Sequence, residues 1–256
     1  MGDSLLSINP EEQIKKITSF IKDTLGMQNK QNVVLGLSGG VDSSVSLNLL
    51  ARVLGPDNIH PVSLPYFEDK SLDTEEALKG AGIPSNYLTS LSIKQMADKI
   101  IGELKIPEED TLRRGNVMTR VRMTVLYDMA KKLDALVCGT ENRSEKLLGY
   151  YTRFGDEASD FEPILHLYKT QVYELAKYLS VPVSIINKPP SANLWENQTD
   201  EGEFGFSYKE ADPVLYLYFN EKKSLEEIEK LGFANAKKII EFIVPVIMQF
   251  LCRCEV

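Results

Sequence analysis

The sequence predicts an α/β protein: a doubly wound parallel sheet with helices on both faces. Two observations carry this. Short runs rich in β-branched apolar residues alternate with stretches of helical spacing over the first two-thirds of the chain, and such alternation builds βαβ units around a parallel sheet. A turn of small residues, "LGLSGGVDSS" at 35–44, joins the first apolar run directly to a helix. The length of 256 residues suits one α/β domain or two small ones. Hydrophobic residues at 43% and charged residues at 26% give a packed core with a polar surface.

The elements follow in order. Ile14, Ile17, Phe20, Ile21 and Leu25 recur at helical spacing, so residues 11–25 form an amphipathic helix. Residues 32–38, "NVVLGLS", read as a buried parallel strand. A helix over 43–55 stops at Gly55. A second strand covers 59–65, a helix 71–82, a third short strand 86–91 and a helix 92–104. After a charged loop come a long helix over 115–133 and a strand over 134–140. The remaining third is less regular. A helix spans 167–181, and residues 187–212 read as a long polar loop of the kind that serves as a lid. Ser224 and Glu227 make a capping box for a helix that stops at Gly232. A last helix over 234–244 is interrupted by Pro245. The expected organisation is a single domain, 1–256, with a core at about 30–186 and a lid with a C-terminal helical segment at about 187–256.

Several function classes recede on composition. The net charge of -8 argues against nucleic acid as a ligand, since phosphate backbones are bound by a basic excess. The N-terminus has no secretory pattern, and no run approaches the ~20 apolar residues of a membrane span. A cytoplasmic protein without membrane contact is expected. Three cysteines make no disulfide framework. Cys138, in "ALVCG", reads as a buried core thiol; Cys252 and Cys254 lie in the tail, and an intermolecular disulfide is not expected there in a cytosolic protein. Two histidines, His60 and His166, without a cysteine cluster argue against structural zinc.

The glycine turn is the most informative stretch. Strand, tight turn and helix start gather backbone N–H groups at the positive end of a helix dipole, which attracts an anion. Gly36, Leu37, Ser38, Gly39, Gly40, Val41, Asp42 and Ser43 make up the loop. Its glycines allow close approach and its serines donate hydroxyl bonds. No lysine followed by serine or threonine is present, so this is not a Walker-type loop. A carboxylate beside a phosphate is repulsive without a cation between them, so Asp42 implies Mg²⁺. A plain turn capped by Ser38 or Asp42 would explain one of these residues, but not the set.

"SGGVDSS" resembles the pyrophosphate loop of the ATP pyrophosphatases, which cleave ATP between the α and β phosphates and adenylate a carboxyl or carbonyl oxygen. Four further stretches resemble the NAD synthetase family in its own order: "GNVMTRVRM" (115–123), "CGTENRSE" (138–145), "YTRFGDEASDFEPILHLYKTQV" (151–172) and "KPPSANLWENQTDEGEFGFSY" (188–208). The resemblance covers most of the chain. It implies an adenine nucleotide alpha-hydrolase-like fold. It also implies ATP-dependent amidation of deamido-NAD by ammonia, through an adenylated intermediate, giving NAD, AMP and pyrophosphate. Carried over by position, the loop 36–43 with Thr140, Lys169 and Ser191 holds ATP. Asp42 and Glu145 hold Mg²⁺. Arg120, Arg153, Asp160 and Lys237 hold deamido-NAD, and Asp156 accepts a proton from ammonium.

The residues read sensibly in these roles. Glu145 and Thr140 follow a strand at its carboxyl end, where open α/β sheets bind ligands. Arg120 and Arg122 lie two apart on one helix, so they face different sides. Lys169 begins a helix, a poor place for a cation unless it serves an anion. Two departures stand out. Arg153 replaces a lysine common in the family, and "NAKK" places Ala236 where the family carries histidine, with Lys237 retained. The nucleotide core starts within one helix of the N-terminus, so no glutamine-hydrolysing domain is expected, and the family implies a homodimer. An RNA-thiolating pyrophosphatase would have a basic surface and paired cysteines. A non-catalytic nucleotide sensor would need fewer charges around the phosphate.

Overall fold

The computed structural model describes residues 5–67 and 71–251. Its centre is a parallel sheet in the order β3-β2-β1-β4, with β1 at Asn32–Gly36, β2 at Ile59–Ser63, β3 at Thr89–Ser90 and β4 at Ala135–Cys138. The helices are α1 (Pro10–Met27), α2 (Val41–Leu50), α3 (Ser71–Gly80), α4 (Lys94–Glu103), α5 (Thr111–Leu133), α6 (Arg143–Leu148), α7 (Lys169–Tyr178), α8 (Val183–Ile186), α9 (Asp200–Phe204), α10 (Tyr208–Phe219), α11 (Leu225–Lys230) and α12 (Ala236–Leu251).

Strand residues alternate between faces. Val33 and Leu35 join the apolar cluster built with α1, α2, α3 and α7; Val34 joins the one built with α4 and α5. Helices therefore cover both faces, as expected. A third cluster packs α6 with α9, α10 and α12 through Leu148, Phe204, Val214, Ile239 and Ile243. The chain steps outward from β1 to β2 and β3, then returns to lay β4 on the other side of β1. Leu35 pairs with Cys138 in register, so the carboxyl ends of β1 and β4 open side by side. This is the topological switch point at which open α/β sheets bind ligands.

Several sequence expectations change, among them the helix after β1, which runs Val41–Leu50 and does not reach Gly55. The third strand shrinks to Thr89–Ser90, because Ser85–Tyr87 form a 3-10 turn. The long helix starts at Thr111 rather than at 115, because the Asp110 side chain caps it by accepting from Arg113 N at 3.2 Å. Residues 187–212 are not all loop: Thr199 caps α9, and a Ser207–Glu210 capping box starts α10. The last helix runs through position 245 to Leu251. Buried Ile239, Ile240 and Ile243 hold it against the third cluster, an apolar gain of roughly 1.5–3 kcal/mol each that outweighs the hydrogen bond lost at proline. Phe161 adds a single parallel bridge to Cys138, an extension of the sheet that the sequence did not announce. Cys138 is a buried thiol as expected; Cys252 and Cys254 lie outside the described residues.

His166 ties the segment before α7 to α1, its Nε2 lying 3.0 Å from Gln13 Oε1. Burial pulls its imidazole down to about 4. The unfolded chain then binds a proton that the folded chain refuses as pH falls from about 6.5 to about 4, so this contribution to stability is present above that window and lost within it. His166→Gln should remove about 2–3 kcal/mol of the acid-dependent loss, read as a flatter pH dependence of urea midpoints than in the unsubstituted protein. Equal slopes would show that the imidazole titrates normally.

Candidate active site

The site forms where β1 and β4 end. Leu37 still pairs with the sheet, its N–H donating to Val62 O at 2.8 Å. The chain then turns through Gly39, whose φ of +74° suits glycine and whose added Cβ would lie 2.5 Å from Asp73 Cβ. Gly40 is the N-cap of α2, and no side chain caps that helix. Ser38 Oγ accepts from Gly40 N at 3.2 Å, and Ser43 and Ser44 donate back to Gly40 O at 3.1 and 2.8 Å. The first-turn N–H groups of α2 are thus left for a ligand, at the positive end of the dipole. The reading of this loop as a turn capped by Ser38 or Asp42 fails here.

The loop after β4 faces this one. Asn142 caps α6 and shares a capping box with Glu145, while its Nδ2 donates to Asp42 Oδ1 at 2.9 Å. Between the two loops lies Lys169, the first residue of α7. Its ammonium is 2.6 Å from Asp42 Oδ2 and 3.0 Å from Glu145 Oε1. Lys169 is 2% exposed, and its Nζ also stands 5.2 Å from the Tyr208 ring centroid. Burial alone would pull this ammonium down. The adjacent carboxylates more than reverse that and hold it well above the usual lysine range. Burial, opposed by Lys169, pushes the Glu145 carboxyl up.

The backbone around Lys169 is fixed from beneath. Fully buried Asp212, from α10, accepts from Ser144 Oγ at 2.6 Å and from Thr170 N and Oγ1 at 2.8 Å each. Ser144 Oγ in turn accepts from Lys169 N at 2.8 Å. Sequence reasoning missed Asn142, Asp212 and Asp200, whose Oδ2 accepts from Tyr208 OH at 3.0 Å. It also missed Lys188, which lines the cleft and pairs with Asp73. Asn142, Lys188 and Asp200 stood inside stretches that carry the family resemblance, and the Ser207–Glu210 capping box marked the start of the helix that bears Asp212.

A cleft of about 540 Å³ opens over this point. The described residues place Gly36, Leu37, Ser38, Gly40, Val41, Asp42, Ser43, Thr140, Glu145, Asp156, Lys169 and Ser191 along it, with Gly39 buried behind the turn. Asp156 Oδ1 accepts from Thr152 N at 2.7 Å; the protein around it pushes its carboxyl up, although the residue is open to the cleft. The two arginines of α5 part as their spacing predicted. Arg122 lines the cleft and donates from Nε to Leu64 O at 3.1 Å; Arg120 is exposed outside the cleft lining and donates to Arg153 O at 3.3 Å. Asp160 Oδ2 accepts from Val137 N at 2.7 Å, on the outer side of β4. Lys237 is exposed on α12, away from the cleft, where it pairs with Glu241 at 3.9 Å. Ala236 is fully buried, so no histidine would fit there without repacking the third cluster.

Fold and site together define an α/β nucleotide-binding protein of the adenine nucleotide alpha-hydrolase-like class. Residues 13–246 match the NAD synthase family model, and the chain belongs to that family. It is 43% identical to the NH(3)-dependent NAD(+) synthetase of Pyrococcus furiosus over 97% of its own length and 92% of that protein's. To the enzyme of the same name from Thermococcus kodakarensis it is 40% identical, over 90% of this chain and 89% of that protein. Among solved structures, the NMN synthetase of Francisella tularensis superposes with a TM-score of 0.74 at 32% identity, covering 91% of this chain and 97% of the other. The NH3-dependent NAD synthetase of Campylobacter jejuni, solved with nitrate, gives 0.72 at 29% identity, covering 92% and 95%.

Gly39→Ala tests the loop. Left-handed backbone at a residue with a side chain costs about 1–2 kcal/mol, before the clash with Asp73 is counted. ATP affinity by titration calorimetry should fall at least about tenfold, while circular dichroism stays native. Unchanged affinity would mean that the turn does not shape the phosphate site.

Proposed function

We propose that the chain is a C–N bond-forming ligase that amidates deamido-NAD with ammonia at the expense of ATP, giving NAD, AMP and pyrophosphate. The observation that carries this is the meeting of an uncapped α2 N-terminus with Lys169, Asp42 and Glu145 at the β1/β4 switch point, in a member of the NAD synthase family. The α2 amides, Lys169, Thr140 and Ser191 bind the triphosphate and stabilise charge on the departing pyrophosphate. The nicotinate carboxylate attacks the α-phosphorus, the bond to pyrophosphate breaks, and an adenylated carboxyl forms. Asp156 takes a proton from ammonium, since only neutral ammonia has a lone pair; its raised pKa suits a base. Ammonia attacks the carbonyl carbon and AMP leaves. Deamido-NAD approaches from the surface that carries Arg120, Arg153 and Asp160. Lys237 lies apart from them in one chain, and its proposed contact requires a second subunit or a movement of α12.

The donor chemistry at Lys169 fits magnesium. Asp42 and Glu145 supply the hard oxygens that magnesium prefers, and would take it up in place of the Lys169 ammonium that now bridges them. Among the described residues no group of three or more histidine, cysteine, aspartate or glutamate side chains is placed to hold a metal ion by itself. Two carboxylates are what Mg²⁺ usually takes from a protein, with phosphate and water completing its shell. When bound, Mg²⁺ would screen the charge of the triphosphate. Residues 188–200, which line the cleft from the lid side, exclude water from the adenylate. A homodimer and a cytoplasmic location go with this reading. Ile17, Ile21 and Leu25 of α1 face the core, whereas Phe20 and Met27 are exposed and remain for a partner copy.

The likeness to the NMN synthetase favours a second reading, the same amidation on the mononucleotide. Pyrophosphate release and amide product, followed with each substrate, ATP, Mg²⁺ and ammonium, separate the two. Both products should appear with deamido-NAD and rise with ammonium; product from the mononucleotide alone would reverse the order of the readings. Asp42→Ala and Lys169→Met should each lower pyrophosphate release by about 100-fold or more. Release within tenfold of the unsubstituted enzyme would remove these residues from the chemistry.

A further inference from the structure

Beside the cleft, the segments after β4 gather more carboxylate than the protein neutralises. Glu141 is 6% exposed and receives no hydrogen bond on either carboxylate oxygen. Glu162 accepts from Ser159 Oγ at 3.0 Å on Oε1, and its Oε2 is buried without a donor. Lys146 stands between Glu141 and Glu157, 3.4 Å from Glu141 Oε2 and 3.3 Å from Glu157 Oε1. Three glutamates thus share one lysine. Buried acceptors without donors are costly. Burial pushes the Glu141 carboxyl up to about 8, and that of Glu162 up as well, as expected of charges short of a counter-ion.

The location gives this excess a use. Glu141 lines the nucleotide cleft, Glu157 and Glu162 line an open groove outside it, and Ala158 lines both. The wall between them is thin at Gly139. A Cβ there would lie 2.7 Å from Glu162 Cγ and 2.7 Å from Ser159 Cβ. Asp156 lies on the cleft side of this wall, within electrostatic reach of Glu162.

We propose that Glu141 and Glu162 form a binding site for ammonium in the wall between the outer groove and the nucleotide cleft, where the nitrogen substrate is held before it reaches Asp156. The proposal rests on the reading of the chain as ammonia-dependent. Ammonium offers four N–H donors and a unit charge; the wall offers Glu141 Oε1 and Glu162 Oε2 with no donor, and Glu141 Oε2 with only the Lys146 ammonium at 3.4 Å, itself shared with Glu157. A buried water would satisfy the oxygens but not the charge. Glu162 lines the outer groove and not the nucleotide cleft, so the effect of substituting it falls on ammonium alone.

The test uses the full-length enzyme with Glu162→Gln and Glu141→Gln, isosteric changes that keep the wall packed. With deamido-NAD, ATP and Mg²⁺ but no ammonium, exchange of labelled pyrophosphate into ATP reports adenylation. If the unsubstituted enzyme shows no exchange, or forms no NAD once ammonium is added, the ligase reading itself fails. If it shows both, Glu162→Gln should keep its exchange rate and its KM for ATP, while KM for ammonium chloride rises about tenfold in both variants. Crystals of the unsubstituted enzyme in rubidium chloride, a cation of ammonium's size, should show an anomalous peak between Glu141 and Glu162 that Glu162→Gln abolishes. A KM for ammonium within about twofold of the unsubstituted value in both variants overturns the proposal, as does rubidium bound elsewhere in the wall or not at all.

Discussion

The ammonium of Lys169, held between Asp42 and Glu145, ties together the three helix starts that meet at the switch point. Asp42, Glu145 and Lys169 each stand in the first turn of a helix: α2, α6 and α7 respectively. Buried charges are costly unless they are paired and hydrogen-bonded. A lysine at the start of a helix is additionally opposed by the dipole. The arrangement is tolerable because the two carboxylates converge on the lysine, and because Asn142 and the Asp212 network fix the backbone around them. The same geometry leaves the start of α2 without a side-chain cap beside an enclosed cation and two carboxylates. In the proposed reaction a triphosphate would meet a set already organised before it arrives.

Much of the fold was legible because β1, β2 and β4 and the longer helices carry strong periodicity, and alternation alone implies a parallel sheet. The losses share a physical cause. The third strand failed because a two-residue pairing has no periodicity to read. The start of α5 and the whole of α9 and α10 were hidden because their caps, Asp110, Thr199 and Ser207, sit in polar stretches that resemble loop by composition. Pro245 misled in the opposite sense, since a local rule against proline was overridden by packing of the turns before it.

The candidate site was partly legible in the same way. The loop 36–43 announced an anion through its residue types, and the family resemblance placed Glu145, Lys169 and Ser191 on the same cleft. That Asp42 and Glu145 would share a lysine could not be read, because it depends on strand order rather than on spacing. Asp212 was invisible for a related reason. Its partners lie 68 and 42 residues away, and nothing in its neighbourhood marks it as more than another acid. Ala236, which departs from the family's histidine, is a packing residue in the fold.

The position of β4 has a consequence for the chain while it is being made. Asp42 is 100 residues from Asn142 and 127 from Lys169. During synthesis, then, the phosphate loop emerges long before anything that completes it. A nascent chain that has made β1 to β3 owns the glycine turn but neither the lysine nor the second carboxylate, so it offers nucleotide no finished pocket. Contacts of such separation form late and slowly. Nucleotide can therefore favour the native state only once α7 has been added, which makes ATP a ligand of the finished protein and no aid to its early folding.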